Sequence, residues 1–220
     1  MKEADPLFQQ LARLGHALGS GSRIALLDLL RQAPRTVEAL AREAGLSLAN
    51  ASQHLKVLRR ARLVEAEKQG TYVTYRLADP AVDDFYGALR ALAEKRLAEV
   101  QEIGRAFARK RGSLEAVDRH RLLERVRAGE VTVLDVRPAE EYRAAHIAGA
   151  VSVPLKQLES RLAAVPKDRE VVAYCRGPYC VLAPEAVTLL RSRGYRAVVL
   201  SDGVAEWRAQ GLPVAAGDAP

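Results

Sequence analysis

Ten residues, Val171–Cys180 (VVAYCRGPYC), constrain this chain more than any other stretch. An apolar run ending in Cys-Arg-Gly-Pro reads as a buried strand breaking into a tight loop, and Val181–Arg193 after it reads as a helix. A strand, a short loop and a helix in that order put Cys175 where main-chain N–H groups converge at the positive end of a helix dipole. That setting is expected to lower the pKa of the Cys175 thiol and make it a nucleophile; the bland alternative is a small buried hydrophobe. The other cysteine is Cys180. It is either a resolving thiol, able to attack a persulfide on Cys175 and leave a disulfide or polysulfide bridge, or a packed residue at the helix start.

Around this segment, short β-branched runs (Val131–Val136, Val151–Val153, Val171–Tyr174, Ala197–Leu200) alternate with helical segments at Val117–Ala128, Glu140–Ala144, Leu155–Ala164, Val181–Arg193 and Ala205–Gln210. The alternation predicts an α/β domain with a mostly parallel sheet over residues 113–220. Residues 1–112 follow a helical period instead, with helices at Asp5–Ala17 and Ser22–Gln32. Thr36 is a candidate N-cap for Glu38–Ala44, which stops at Gly45, and Ser47 for a helix running to Arg60. Leu63–Lys68 and Tyr72–Leu77 read as paired strands. After Asp79-Pro80 one long helix is expected to about Lys110, with Val82, Phe85, Leu89, Leu92, Leu97, Val100, Ile103 and Phe107 as an apolar stripe suited to a dimer seam. Lys110-Arg111-Gly112-Ser113 marks the boundary between the two domains.

Charge separates the halves too. Residues 1–112 hold 19 Lys+Arg and 13 Asp+Glu, a surplus of +6; residues 113–220 hold 15 and 14, a surplus of +1. The basic first half favours a polyanionic partner. No apolar run reaches the ~18 residues of a membrane span, the N-terminus lacks a signal-peptide pattern, and two cysteines cannot staple a secreted fold, so a reducing cytoplasm is expected.

A helix, a turn at Gly45-Leu46-Ser47, a second helix and a β-hairpin make a winged helix-turn-helix, mainly α, whose second helix docks in the DNA major groove. Ala51, Leu55 and Leu58 fall on its core face. Ser47, Asn50, Ser52, Gln53, His54, Lys56, Arg59 and Arg60 are candidate contacts to double-stranded operator DNA, with Lys68, Thr71 and Tyr72 from the hairpin. Asn and Gln can pair with adenine edges, and arginines suit phosphates. The competing reading is an ordinary solvated surface.

The stretch LAREAGLSLANASQHLKVLRRARLVEAEKQGTYVTYRL resembles the ArsR-type winged-helix repressors, over roughly residues 7–105. The resemblance implies a homodimer formed through the long helix. Many members sense metals through Cys or His, but no cysteine precedes residue 175 and His16 and His54 are isolated, so no metal site is expected. DVRPAEEYRAAHIAGAVSVP, VVAYCRGPYC and DGVAEWRAQGLPV resemble the rhodanese domain over about residues 115–217. That resemblance implies that Cys175 accepts a sulfane sulfur as a persulfide, within a loop of Arg176, Gly177, Pro178, Tyr179 and Val181, and needs no cofactor. It also makes Asp135, Arg137, Glu141 and His146 framework residues. Arg176 adds positive charge suited to an anionic donor. Cysteine phosphatases and related arsenate reductases need Cys-x5-Arg, and Val181 stands at that position. Tyr179 stands where some thiosulfate-using relatives carry a second basic residue.

A DNA reader fused to a reactive thiol predicts a repressor that senses reactive sulfur or redox state. The alternatives are a sulfurtransferase that its DNA-binding half localises or autoregulates, and an interaction module whose Cys175 is inert.

Overall fold

The computed structural model describes residues 5–111 and 119–218. The chain forms two compact units, Met1–Ala88 and Leu89–Pro220. The boundary expected at Lys110–Ser113, like the start of the helix expected from Val117, runs into residues outside the described ones.

In the first unit, α1 (Asp5–Leu18) and α2 (Gly21–Gln32) precede the two-residue strand β1 (Arg35–Thr36) and helix α3 (Val37–Glu43). The Thr36 side chain caps α3 by accepting from the Ala39 N–H, and Gly45, at φ +65°, makes the left-handed turn beyond it. Helix α4 (Leu48–Arg60) is capped by the Ser47 hydroxyl, which accepts from the Asn50 N–H at 3.2 Å. Strands β2 (Val64–Gln69) and β3 (Tyr72–Leu77) form the hairpin, with Gln69 opposite Tyr72 and Gly70 (φ +62°) in the turn. Strand β1 pairs with β3, giving the order β1-β3-β2. Its two residues carry no alternation of their own; β1 exists because Arg35 and Thr36 lie opposite Tyr75 and Thr74. Leu26, Leu40, Leu55 and Leu58, all fully buried, centre the core. Each such side chain contributes about 1.5–3 kcal/mol by leaving water.

The helix expected over 80–110 is interrupted. Helix α5 (Pro80–Arg96) ends before Leu97, and α6 (Ala98–Arg111) follows. The Gln101 side-chain amide donates to the Lys95 carbonyl at 3.4 Å, satisfying an acceptor at the break. The apolar stripe divides as well. Val82 packs on the first unit's core and Phe107 meets Tyr179 edge-on, while Phe85, Leu89, Leu92, Leu97 and Ile103 stay exposed.

In the second unit, α7 (Arg119–Arg127), β4 (Val131–Asp135), α8 (Ala139–Ala144), β5 (His146–Ile147), β6 (Val151–Ser152) and α9 (Leu155–Arg161) run to β7 (Glu170–Tyr174). Helix α10 (Leu182–Ser192), β8 (Ala197–Val199), α11 (Val204–Ala209) and β9 (Val214–Ala215) complete it. The main sheet is parallel, in the order β6-β4-β7-β8; β5 and β9 form a separate antiparallel pair that the sequence pattern did not suggest. Strand β7 is buried on both faces, as parallel strands are. Val171 and Ala173 face a cluster with Ala183, Ala186 and Leu190 of α10, while Val172 and Tyr174 face one with Leu122 and Trp207. Trp207 is 1% exposed, and its Nε1–H donates to the Pro213 carbonyl at 3.0 Å. Among the described residues, no helix is long and apolar enough to cross a membrane, and no group of three or more His, Cys, Asp or Glu is placed to hold a metal ion.

Candidate functional site

Cys175 follows the last residue of β7. The alternation along that strand turns it to the face of Val171 and Ala173, and it is 3% exposed. The chain then reverses through Gly177, at φ +125°, into α10. Val181 occupies the N-cap of α10 and has no side-chain oxygen to satisfy the first helical N–H groups. The main-chain N–H groups of Ala183 and Gly177 favour an anion on Cys175, and those of Arg176 and Leu182 one on Cys180. The two thiols lie close enough that each shifts the other's ionisation.

Cys180 is lowered to about 6, above all by its interaction with Cys175; the main-chain N–H groups and the charge of Arg176 add to this, and burial opposes it. Cys175 is raised, first by burial, then by its interaction with Cys180. Its position at the end of a core strand removes solvent that a thiolate there would need, which works against the lowered thiol expected at Cys175.

Arg176 is paired rather than open to a donor. Its Nε donates to Glu141 Oε1 and Oε2 at 3.0 and 3.1 Å, and Glu141 is fully buried. The Glu141 carboxylate lies 4.0 Å from the Arg137 guanidinium, which also holds Asp135 at 2.6 Å and the Ala145 carbonyl at 2.7 Å. The Tyr174 hydroxyl donates to Asp135 at 2.5 Å and accepts the Ile147 N–H at 3.1 Å. His146 is fully buried, stacked on Tyr142 at 3.8 Å, with its Nδ1 2.9 Å from the Tyr142 carbonyl.

Beneath the loop lies Gly203, where a Cβ would stand 2.6 Å from the Arg176 carbonyl carbon, so only glycine fits. Its N–H donates at 2.9 Å to Glu206, which accepts from Arg90 at 2.7 Å through its other oxygen. Arg90 lies 3.5 Å from Glu94, and Glu94 accepts the Tyr179 hydroxyl at 2.8 Å. Pro178 is half-buried, and Val181 is exposed. Reading along the sequence gave no role to Gly203, Glu206, Arg90 or Glu94, although the first two lie in the DGVAEWRAQGLPV motif.

On α4, Asn50, Gln53, Lys56, Arg59 and Arg60 are exposed, and Ser52 and His54 are half-buried. The Ser47 hydroxyl is engaged as the cap. Lys68, Thr71 and Tyr72 are exposed on the hairpin, as is the apolar Leu48 at the start of α4.

Residues 118–210 match the rhodanese-like domain and residues 18–67 a helix-turn-helix domain. The chain is 47% identical over 209 residues to the HTH-type transcriptional regulator Rv0324 of Mycobacterium tuberculosis, covering 94% of this chain and 91% of that one. It belongs to the ArsR-type helix-turn-helix transcriptional regulators with a C-terminal rhodanese domain. The rhodanese half of this regulator is also 33% identical over 88 residues to a sulfurtransferase of Allochromatium vinosum, covering 40% of this chain and 80% of the other. The homodimeric winged helix-turn-helix DNA-binding domain from Mycobacterium bovis is 37% identical, with a TM-score of 0.43 over 45% of this chain and 92% of that one. The regulator thus joins a DNA-binding winged helix to a rhodanese fold whose loop carries two free thiols that shift each other's ionisation.

Proposed function

We propose that this regulator is a homodimeric repressor that works in the cytoplasm and senses reactive sulfur through Cys175 and Cys180. What supports the reading is a pair of free thiols in one loop, Cys175 buried at the end of β7 and Cys180 half-buried before α10, each shifting the other's ionisation, with Cys180 lowered to about 6. A thiolate at neutral pH attacks a low-molecular-weight persulfide, RSSH; the sulfane sulfur bonds to the cysteine and RSH leaves with the proton. The second cysteine then attacks that persulfide, forming a disulfide and releasing hydrogen sulfide. One RSSH and two thiols give one bridge, one RSH and one hydrogen sulfide. Cys180, lowered in pKa and more exposed than Cys175, takes the first step, and Cys175 closes the bridge.

Exposed Leu7, Phe8 and Leu11 on α1, and Phe85, Leu89 and Leu92 on α5, support a seam with a second copy. The exposed polar residues of α4 support base contacts through Asn50 and Gln53, phosphate contacts through Lys56, Arg59 and Arg60, and further contacts from Lys68, Thr71 and Tyr72 of the hairpin. Ser47 serves as a cap that fixes the start of this helix.

The test uses full-length reduced protein and DNA selected by it from a random pool. Treatment with a polysulfide is expected to change DNA affinity, and equal affinity before and after would eliminate the sensor. Intact mass separates the roles. Cys175→Ser is expected to gain one sulfur and stop there; Cys180→Ser is expected to react slowly. A sulfurtransferase is the second reading, favoured by the similarity to the Allochromatium enzyme. Sustained turnover by wild-type protein, with DNA affinity indifferent to the state of the thiols, would support it instead.

A further inference from the structure

We propose that Glu94 on α5 is the readout of the thiol loop, receiving its state from Tyr179 and passing it to the helix that begins in the DNA-binding unit. The inference rests on the sensor reading and supplies a contact through which modification can act. Tyr179 is the residue next to Cys180, and its hydroxyl donates to Glu94 at 2.8 Å. Its ring meets Phe107 of α6 edge-on at 5.7 Å and approaches Gly104, where a Cβ would lie 3.7 Å from the hydroxyl. The other flank of the loop reaches the same helix. A Cβ at Gly177 would lie 3.0 Å from Glu206, and Glu206 accepts from Arg90, one turn before Glu94. Residues 90 and 94 thus hold the loop from both sides, and all of these residues belong to the unit Leu89–Pro220.

A covalent bridge draws two sulfurs well inside hydrogen-bond separation. Cys175 is fixed in the core, so Cys180 makes the move and carries Tyr179 with it. A 2.8 Å hydrogen bond does not stretch far before it is lost. The loop therefore has two discrete arrangements that contact α5 differently, which is what coupling between distant sites requires. Helix α5 also carries Phe85, Leu89 and Leu92, so a shift at residue 94 bears on the same helix as the exposed apolar face.

Glu94→Ala in the full-length protein removes the acceptor at a good helix position, and Glu94→Gln keeps an oxygen there. For each, mass spectrometry follows sulfur capture and bridging, and titration gives the ratio of DNA affinity before and after polysulfide. Glu94→Ala is expected to capture sulfur as wild type does while its ratio falls to near one, with hydrogen exchange in residues 89–111 no longer responding to treatment; Glu94→Gln is expected to restore most of the response. A wild-type ratio in Glu94→Ala overturns the readout and leaves the sensor standing. A ratio of one in the wild type overturns both.

Discussion

Two helix starts in this molecule solve one electrostatic problem differently. At α4, Ser47 supplies a hydroxyl that accepts the Asn50 N–H, and the first turn is satisfied internally. At α10, Val181 supplies nothing, Pro184 in the first turn has no N–H to satisfy, and the Leu182 and Ala183 N–H groups favour an anion on the sulfurs of Cys180 and Cys175. A capped start is a structural fixture that lets neighbouring side chains face outward. An uncapped start holds a negative charge, and here that charge can do chemistry.

The comparison is broken most severely from behind the loop. Arg137→Ala strands the fully buried Asp135 and weakens the hold on Glu141, and should cost about 3–5 kcal/mol; denaturant unfolding should show the loss in the rhodanese unit. Gly203→Ala drives a methyl group into the Arg176 backbone and should cost about 1–3 kcal/mol by overpacking. A thiol-alkylation assay should show the loop disordered with it. Val181→Asp sharpens the contrast, because it places a like charge beside Cys180 at the start of α10. The Cys180 pKa should rise from about 6 by roughly one unit, or about 1.4 kcal/mol. Alkylation of wild-type Cys180 should lose its thiolate as pH falls through about 6, and the variant should lose it at higher pH. Ser47→Ala is the mildest change, costing about 1 kcal/mol of stability, read by thermal melting, with no effect on thiol reactivity.

Much of this was legible in the sequence where a segment carries its own signal. Ser47 and Thr36 announce caps, the leucines of α2 and α4 announce a buried stripe, and the β-branched runs of β4 and β7 announce a parallel sheet. The rest depends on neighbours brought together by folding. Strand β1 and the β5–β9 pair are defined by partners rather than by pattern. The stripe from Val82 to Phe107 has one helical period but serves three environments, which periodicity cannot separate. The acidity of the thiols depends on burial and on their mutual interaction, and their spacing in sequence says little about depth. Arg176 reads as a free cation until Glu141, thirty-five residues away, is seen beneath it.

Trp207 is the chain's only tryptophan, and it stands directly after Glu206 in the helix under the thiol loop. Its emission is therefore a native optical probe of the rhodanese half alone. The winged-helix half is dark at that wavelength, so quenching or a spectral shift on sulfur treatment can be assigned to one unit without adding a label.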